Sequence, residues 1–237
     1  MLVHGFTQTR RCWGVEADAL ARDHELVLVD APGHGRSDEV RADLREGAAL
    51  IAEVGGAATY LGYSMGARFA LHVALLRPEL VRGLVLISGT GGIEDEVERS
   101  ARHDEDRRTA SRLRAEGLDG FLDGWLRQPL FARLPADRAF RSERRENTVD
   151  GLASSLERAG TGSQASRWGQ LPQLAMPVLV VAGREDAKFT AIAERMTGAI
   201  GDNATLAVLE GAGHAVHLEQ PEPFLATLQP WLARHGL

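Results

Sequence analysis

At 237 residues, with 44% hydrophobic and 25% charged residues, 26 glycines and 9 prolines, the chain has the composition of a globular protein, which excludes disordered and collagen-like classes. A net charge of −6 argues against a broad nucleic-acid surface, and no apolar run approaches the roughly 18 residues of a membrane span. The single cysteine, Cys12, leaves no internal disulfide and no cysteine metal cluster. Met1 leads directly into a strand-like segment instead of a charged leader, so a soluble cytoplasmic protein is expected.

In chain order, short β-rich runs alternate with segments whose apolar residues recur at helical spacing. A strand at Leu2–His4 precedes a helix at Val15–Ala21, and a strand at Glu25–Asp30 precedes a helix at Leu44–Val54. Thr59–Tyr63 leads into a helix at Met65–Leu76, and Leu84–Ser88 forms a fourth strand. The alternation then stops between about Ile93 and Leu171, where the pattern is charged, arginine-rich and helical. It resumes with a strand at Val178–Ala182, a helix at Phe189–Ile200, a strand at Thr205–Glu210 and a helix at Phe224–His235. Near-continuous Val, Leu and Ile suits strands buried on both faces, so the reading is α/β, a doubly wound, mostly parallel sheet. The core covers residues 1–92 and 172–237, and residues 93–171 form an inserted helical lid over the strands' carboxyl ends, expected to move as a unit.

Chemistry concentrates where strand meets helix. Gly62-Tyr63-Ser64-Met65-Gly66 matches Gly-x-Ser-x-Gly, a turn so tight that the serine's neighbours must be small and its Oγ stands above the sheet. Serine needs an imidazole to accept its proton and a carboxylate to orient that imidazole. Asp186, just beyond the fifth strand, and His214, after the last, supply them in the order Ser, Asp, His. Glu185 and Asp202 remain alternatives for the acid, but Asp186 has the better loop position. The amides of Phe6 and Met65 are the expected oxyanion donors, and His4 braces the first loop. His24, His72, His103 and His235 read as structural or solvated. His214 and His217 lack a third ligand at suitable spacing, so no metal is expected, and the glycine-rich turn at Asp30–Ser37 lacks the spacing of a phosphate or dinucleotide loop.

Together, His4-Gly5-Phe6, Pro32-Gly-His-Gly-Arg-Ser37, Gly62-Tyr-Ser-Met-Gly66 and Gly211-Ala-Gly-His214 resemble the α/β-hydrolase superfamily across the whole chain. Gly62–Arg68, Trp125–Phe131, Gly160–Gln164 with Trp168, and Asp186–Phe189 look like the 2-succinyl-6-hydroxy-2,4-cyclohexadiene-1-carboxylate synthases of menaquinone biosynthesis. That resemblance implies a lyase without a cofactor, in which the triad abstracts a proton from an anionic cyclohexene substrate and pyruvate leaves. By the same similarity Arg68, Arg102 and Arg144 bind substrate carboxylates, and Tyr63 and Trp125 line the pocket. Arg68 lies four residues after Ser64, one helical turn into the helix, so it can face the same cavity.

Two departures stand out. Ala67 replaces a frequent glycine, and the chain starts at the family's third strand, so the usual N-terminal hairpin is missing and Glu25–Asp30 becomes a sheet edge. A misplaced start, a truncated chain or a homodimer contact would each account for it. A carboxylesterase-type serine hydrolase acting on a small ester is the alternative function, and a non-catalytic binding protein of this fold is a third, which the intact Ser64, Asp186 and His214 disfavour.

Overall fold

The computed structural model describes residues 1–237, and six parallel strands form its single sheet. The strands are β1 (Leu2–Val3), β2 (Leu28–Val29), β3 (Ala58–Tyr63), β4 (Val81–Ile87), β5 (Val178–Gly183) and β6 (Ala204–Leu209), in spatial order β2-β1-β3-β4-β5-β6. The helices are α1 (Gly14–Leu20), α2 (Leu44–Gly55), α3 (Met65–Leu76), α4 (Glu96–Leu126), α5 (Arg141–Arg144), α6 (Val149–Ala159), α7 (Ala187–Ile200), α8 (Val216–Glu219) and α9 (Pro221–His235). No helix is long and apolar enough to cross a membrane.

Successive side chains along a strand point to opposite faces, and here both faces are apolar. Leu84 and Leu86 of β4, with Val178 and Val180 of β5, pack on one side against α2, α3 and α7. Val85 and Ile87, with Leu179 and Val181, pack on the other side against Trp13, Phe224 and Trp231. Two clusters of 29 and 18 buried residues result, and the central strands lie between them, excluded from water on both sides, while β2 and β6 at the edges are half-buried. The expected strand at Glu25–Asp30 shrinks to Leu28–Val29, because its partner β1 offers only Leu2 and Val3 for pairing. β2 is the sheet edge, and its shortness blunts the exposed backbone.

Helix starts follow local chemistry. Asp43 caps α2 by accepting the amides of Arg45 and Glu46, both at 2.8 Å, while Glu46 returns a bond to the Asp43 amide, worth about 0.5–2 kcal/mol. α4 is not one straight rod: Gly117 leaves helical geometry at φ 73, and two helical pieces meet there.

The segment between β4 and β5 is helical, as the charge pattern predicts, and has a small core of its own, with Leu113 and Phe121 of α4 against Leu152 and Leu156 of α6. It is tied to the sheet domain along α6. Gly151 meets Gly33 so closely that a Cβ on Gly151 would stand 2.6 Å from the Gly33 carbonyl oxygen. Arg68 Nη1, from α3, donates to the carbonyl of Ala159 at 2.7 Å, at the last residue of α6.

Gly151→Ala is therefore expected to cost about 1–3 kcal/mol through overpacking, a fall in Tm of roughly 2–10 °C for a chain of this size. Gly124→Ala, in the same insertion but with open space around its Cα, should be neutral or gain up to about 1 kcal/mol from helix propensity. Thermal melts of the two variants test the docking of α6; equal Tm values would contradict it.

Candidate active site

β3 ends at Tyr63, and the next residue, Ser64, takes φ 52 and ψ −107 before α3 begins at Met65. A non-glycine residue with positive φ is strained by about 1–3 kcal/mol, so the surroundings must impose it. They do so by close approach. A Cβ on Gly62 would overlap the Gly66 carbonyl, and a Cβ on Gly66 would overlap the Val3 carbonyl of β1. The Ser64 amide is held by the Ile87 carbonyl of β4 at 2.8 Å. The serine therefore stands at the carboxyl edge of the sheet, where ligands of parallel α/β sheets bind.

Asp186 follows β5 and His214 follows β6, and both reach the same edge. His214 Nδ1 lies 2.9 Å from Asp186 Oδ2, and His214 Nε2 lies 3.0 Å from Ser64 Oγ. An ionised carboxylate only accepts, so Nδ1 carries the proton and Nε2 is left to accept from the serine hydroxyl. Burial works to raise the Asp186 carboxyl, but the hydrogen bond and charge of His214 and the amide of Phe189 outweigh it and hold the group below the usual carboxylate range. Glu185, the alternative acid, instead pairs with Arg133 at 3.2 Å, and Asp202 is exposed in a turn.

The imidazole loop is braced by two residues that sequence reasoning missed. Glu219 accepts the amides of Gly213 at 2.5 Å and Ala215 at 2.9 Å, on either side of His214. Ser88, at the end of β4 with φ 49, donates to the His214 carbonyl at 2.7 Å. Their only sequence signal is proximity to a strand end or to the histidine, which many residues share.

These groups open on a cavity of about 610 Å³, which Phe6, Tyr63, Met65, Arg68, Arg102, Trp125 and Arg144 also line. The Phe6 amide has no acceptor in the protein, and Met65 is the first residue of α3, where amides have no intrahelical acceptor. Phe6 and Trp125 meet edge to face with centroids 5.1 Å apart. Burial raises the Tyr63 hydroxyl above its usual range, so it stays protonated. His4 braces the first loop: Nδ1 donates to the Gly5 carbonyl at 2.8 Å and Nε2 accepts the Ala31 amide at 3.1 Å.

The three arginines differ. Arg102 pairs with the buried Asp106 at 2.8 Å. Arg68 and Arg144, 7% and 1% exposed, pair with no carboxylate. Burial, then the charge of Arg102, lowers Arg68 to about 10, against a smaller opposing effect of Asp106; it remains a cation near neutral pH. Burial likewise lowers Arg144. Two more cations of the lining are Lys188, within the Asp186–Phe189 motif, and Arg195, which the sequence reading did not single out, both on α7. Lys188 is exposed, and Arg195 bonds Glu94 at 2.6 Å and lies 3.8 Å over the Trp168 ring. No cluster of three His, Cys, Asp or Glu side chains gathers to hold a metal.

The profile of the Alpha/beta hydrolase family matches residues 1–227. A Bacillus subtilis (strain 168) protein provisionally named 2-succinyl-6-hydroxy-2,4-cyclohexadiene-1-carboxylate synthase is 35% identical over 236 residues, covering 94% of this chain and 85% of the relative. The synthase of that name from Serratia proteamaculans (strain 568) is 32% identical, covering 99% of this chain and 92% of the relative. Among solved structures, MenH from S. aureus superposes with a TM-score of 0.93 at 26% identity, over 100% of this chain and 93% of that one. A thermophilic esterase from Thermogutta terrifontis, described with malate bound, gives 0.83 at 25% identity, over 100% and 89%.

The buried histidines around the site set the acid stability. Burial lowers His4 and His72 to about 4, and His34 and His217 to about 3. Unfolded, each returns to about 6.5, so between those values the unfolded chain binds more protons and stability falls with falling pH. Glu16 opposes one of them, because burial raises its carboxyl to about 7 and the folded chain then holds a proton that the unfolded chain releases. About three excess protons on unfolding remain near pH 5, a slope of roughly 4 kcal/mol per pH unit. Urea titrations between about pH 7 and 5 measure it, and a flat profile would rule out the neutral buried rings.

Proposed function

This chain belongs to the Alpha/beta hydrolase family, and from that premise we propose that it is a Ser64–His214–Asp186 lyase that eliminates pyruvate from an anionic cyclohexene carboxylate. The observation that carries the reading is the pair of buried arginines, Arg68 and Arg144, on the cavity that Ser64 faces, neither of them matched by a carboxylate of the protein. An unpaired buried cation is costly, and a substrate carboxylate relieves that cost while the planar guanidinium fixes its orientation. The relatives named as synthases of the same reaction support it.

The residues have distinct roles in this mechanism. His214 draws the proton from Ser64 Oγ, and the resulting alkoxide takes a proton from the substrate carbon. The electron pair forms the ring double bond as the carbon–oxygen bond to the pyruvate-forming group breaks, and the proton held on His214 is available to the leaving group. Asp186 stabilises the imidazolium in between. The amides of Phe6 and Met65 receive the negative charge that builds on the substrate oxygen, a device whose loss typically costs about 10²–10³ in rate. Phe6 and Trp125 pack on the ring and exclude water.

The same triad suits carboxylic ester hydrolysis, and the likeness to the Thermogutta terrifontis esterase makes that the second reading. The two part at Arg68. Arg68→Ala is expected to lower kcat/KM on the anionic cyclohexene substrate by about tenfold to a hundredfold or more, the loss of a charge-assisted contact of roughly 1.5–3 kcal/mol. Arg68→Lys should recover only part, since the ammonium lacks the planar fork. On a neutral ester such as p-nitrophenyl acetate both variants should change little, with Tm as the control because Arg68 also holds the Ala159 carbonyl. Full activity of Arg68→Ala on the anionic substrate would sink the clamp; a wild type that turns over only the ester would establish the hydrolase.

A further inference from the structure

Asn147 lies in the insertion, away from the Ser64–His214–Asp186 chain, yet its side chain is spent on the loops that shape the cavity. It is 4% exposed. The Gly35 amide donates to its Oδ1 at 2.9 Å, and its Nδ2 donates to the carbonyls of Thr7 and Arg144, each at 2.8 Å. Only one orientation of the amide meets one N–H and two carbonyls, so the group is locked.

Thr7 follows Phe6 and holds φ 67, a strained value for a β-branched residue. Arg144 reaches the same point from the insertion: its Nη1 donates to Thr7 Oγ1 and, at 3.5 Å, to the Phe6 carbonyl. The Gly5 carbonyl, in the same planar peptide as the Phe6 amide, accepts from His4 Nδ1 at 2.8 Å and from the Gln8 amide at 3.1 Å. Three consecutive peptides, from Gly5 to Gln8, are thus held at their carbonyls, and the amides left over are those of Phe6 and Thr7. The sheet domain anchors the first peptide; the insertion anchors the next two.

We propose that Asn147 and Thr7 are positioning residues that keep the Phe6 amide aimed into the cavity, so that one of the two oxyanion donors is set by the insertion. This rests on the reading of Phe6 as such a donor. Neither residue touches substrate in this account; both act by holding Thr7 at its strained φ, from which the loop would otherwise relax.

The test is the second-order rate at which a fluorophosphonate probe labels Ser64, since that reaction passes through an oxyanion regardless of the natural substrate. Asn147→Ala and Thr7→Val should slow labelling by about tenfold to a hundredfold, short of the roughly 10²–10³ expected for removing a donor outright. Thr7→Ser, which restores the hydroxyl, should recover most of the loss, a rescue that a role in folding alone does not give. Melting temperatures accompany each rate; if Asn147→Ala does not fold, the Thr7 pair decides. Folded variants labelled at the wild-type rate, or Thr7→Ser as slow as Thr7→Val, overturn the inference alone. A wild type that the probe does not label at all overturns the reading of the site and the inference with it.

Discussion

Ser64 is kept in a conformation it would not choose by two glycines that bring backbone onto backbone. At φ 52 its side chain projects above the sheet, and the approach of Gly66 to the Val3 carbonyl and of Gly62 to the Gly66 carbonyl leaves no room for the turn to open. The strain is small beside the packing that enforces it, with Leu61 and Leu86 buried next to the turn and α3 buried along much of its length. From this turn follow the position of the hydroxyl, the free amide of Met65, and Arg68 one turn later. His214 and Asp186 then need only arrive at the ends of neighbouring strands, which a parallel sheet arranges without further device.

The electrostatics of the cavity run against the usual habit of buried charge. Several arginines of this chain, such as Arg11, Arg77 and Arg184, lie at the surface beside acidic partners, where a pair contributes about 0–1 kcal/mol. Arg68 and Arg144 are buried, and backbone carbonyls and one hydroxyl are their partners. Arg68 also sits at the carboxyl end of α6, whose partial negative charge offsets part of its burial. What remains is two buried guanidinium groups without a carboxylate partner, in a cavity whose wall also carries Glu94, Asp95, Glu98, Asp106 and Asp186.

The insertion contributes residues to the cavity wall and to the loops beside it. It lends Arg144, Asn147 and Trp125 to the cavity and its loops, and it is fastened to the sheet domain by the Gly33–Gly151 approach, the Arg68–Ala159 bond and the bonds to Thr7 and Gly35. An insertion that swings as one body would have to break these buried contacts together. Each donor or acceptor left buried and unpaired would cost about 1–3 kcal/mol.

Much was legible in the sequence because it was local. Strands buried on both faces announce themselves as continuous apolar runs, helices as apolar residues at 3.6-residue spacing, and the nucleophile turn as two glycines around a serine between them. The expected order Ser64, Asp186, His214 rested on loop position together with the chain order of the α/β-hydrolase fold. The length of β2 was not legible, since a strand extends only as far as its neighbour pairs with it, and β1 offers two residues. Nor were Glu219, Ser88 and Asn147, ordinary polar residues in sequence, whose importance lies in which backbone groups tertiary packing brings to them. The arginines show the division most plainly: a family resemblance grouped Arg68, Arg102 and Arg144 together, and only the fold gave Asp106 to Arg102 and left the other two without a carboxylate. Local spacing determines which residues share a face or a turn, whereas the partner of a buried charge is decided by distant segments meeting in space.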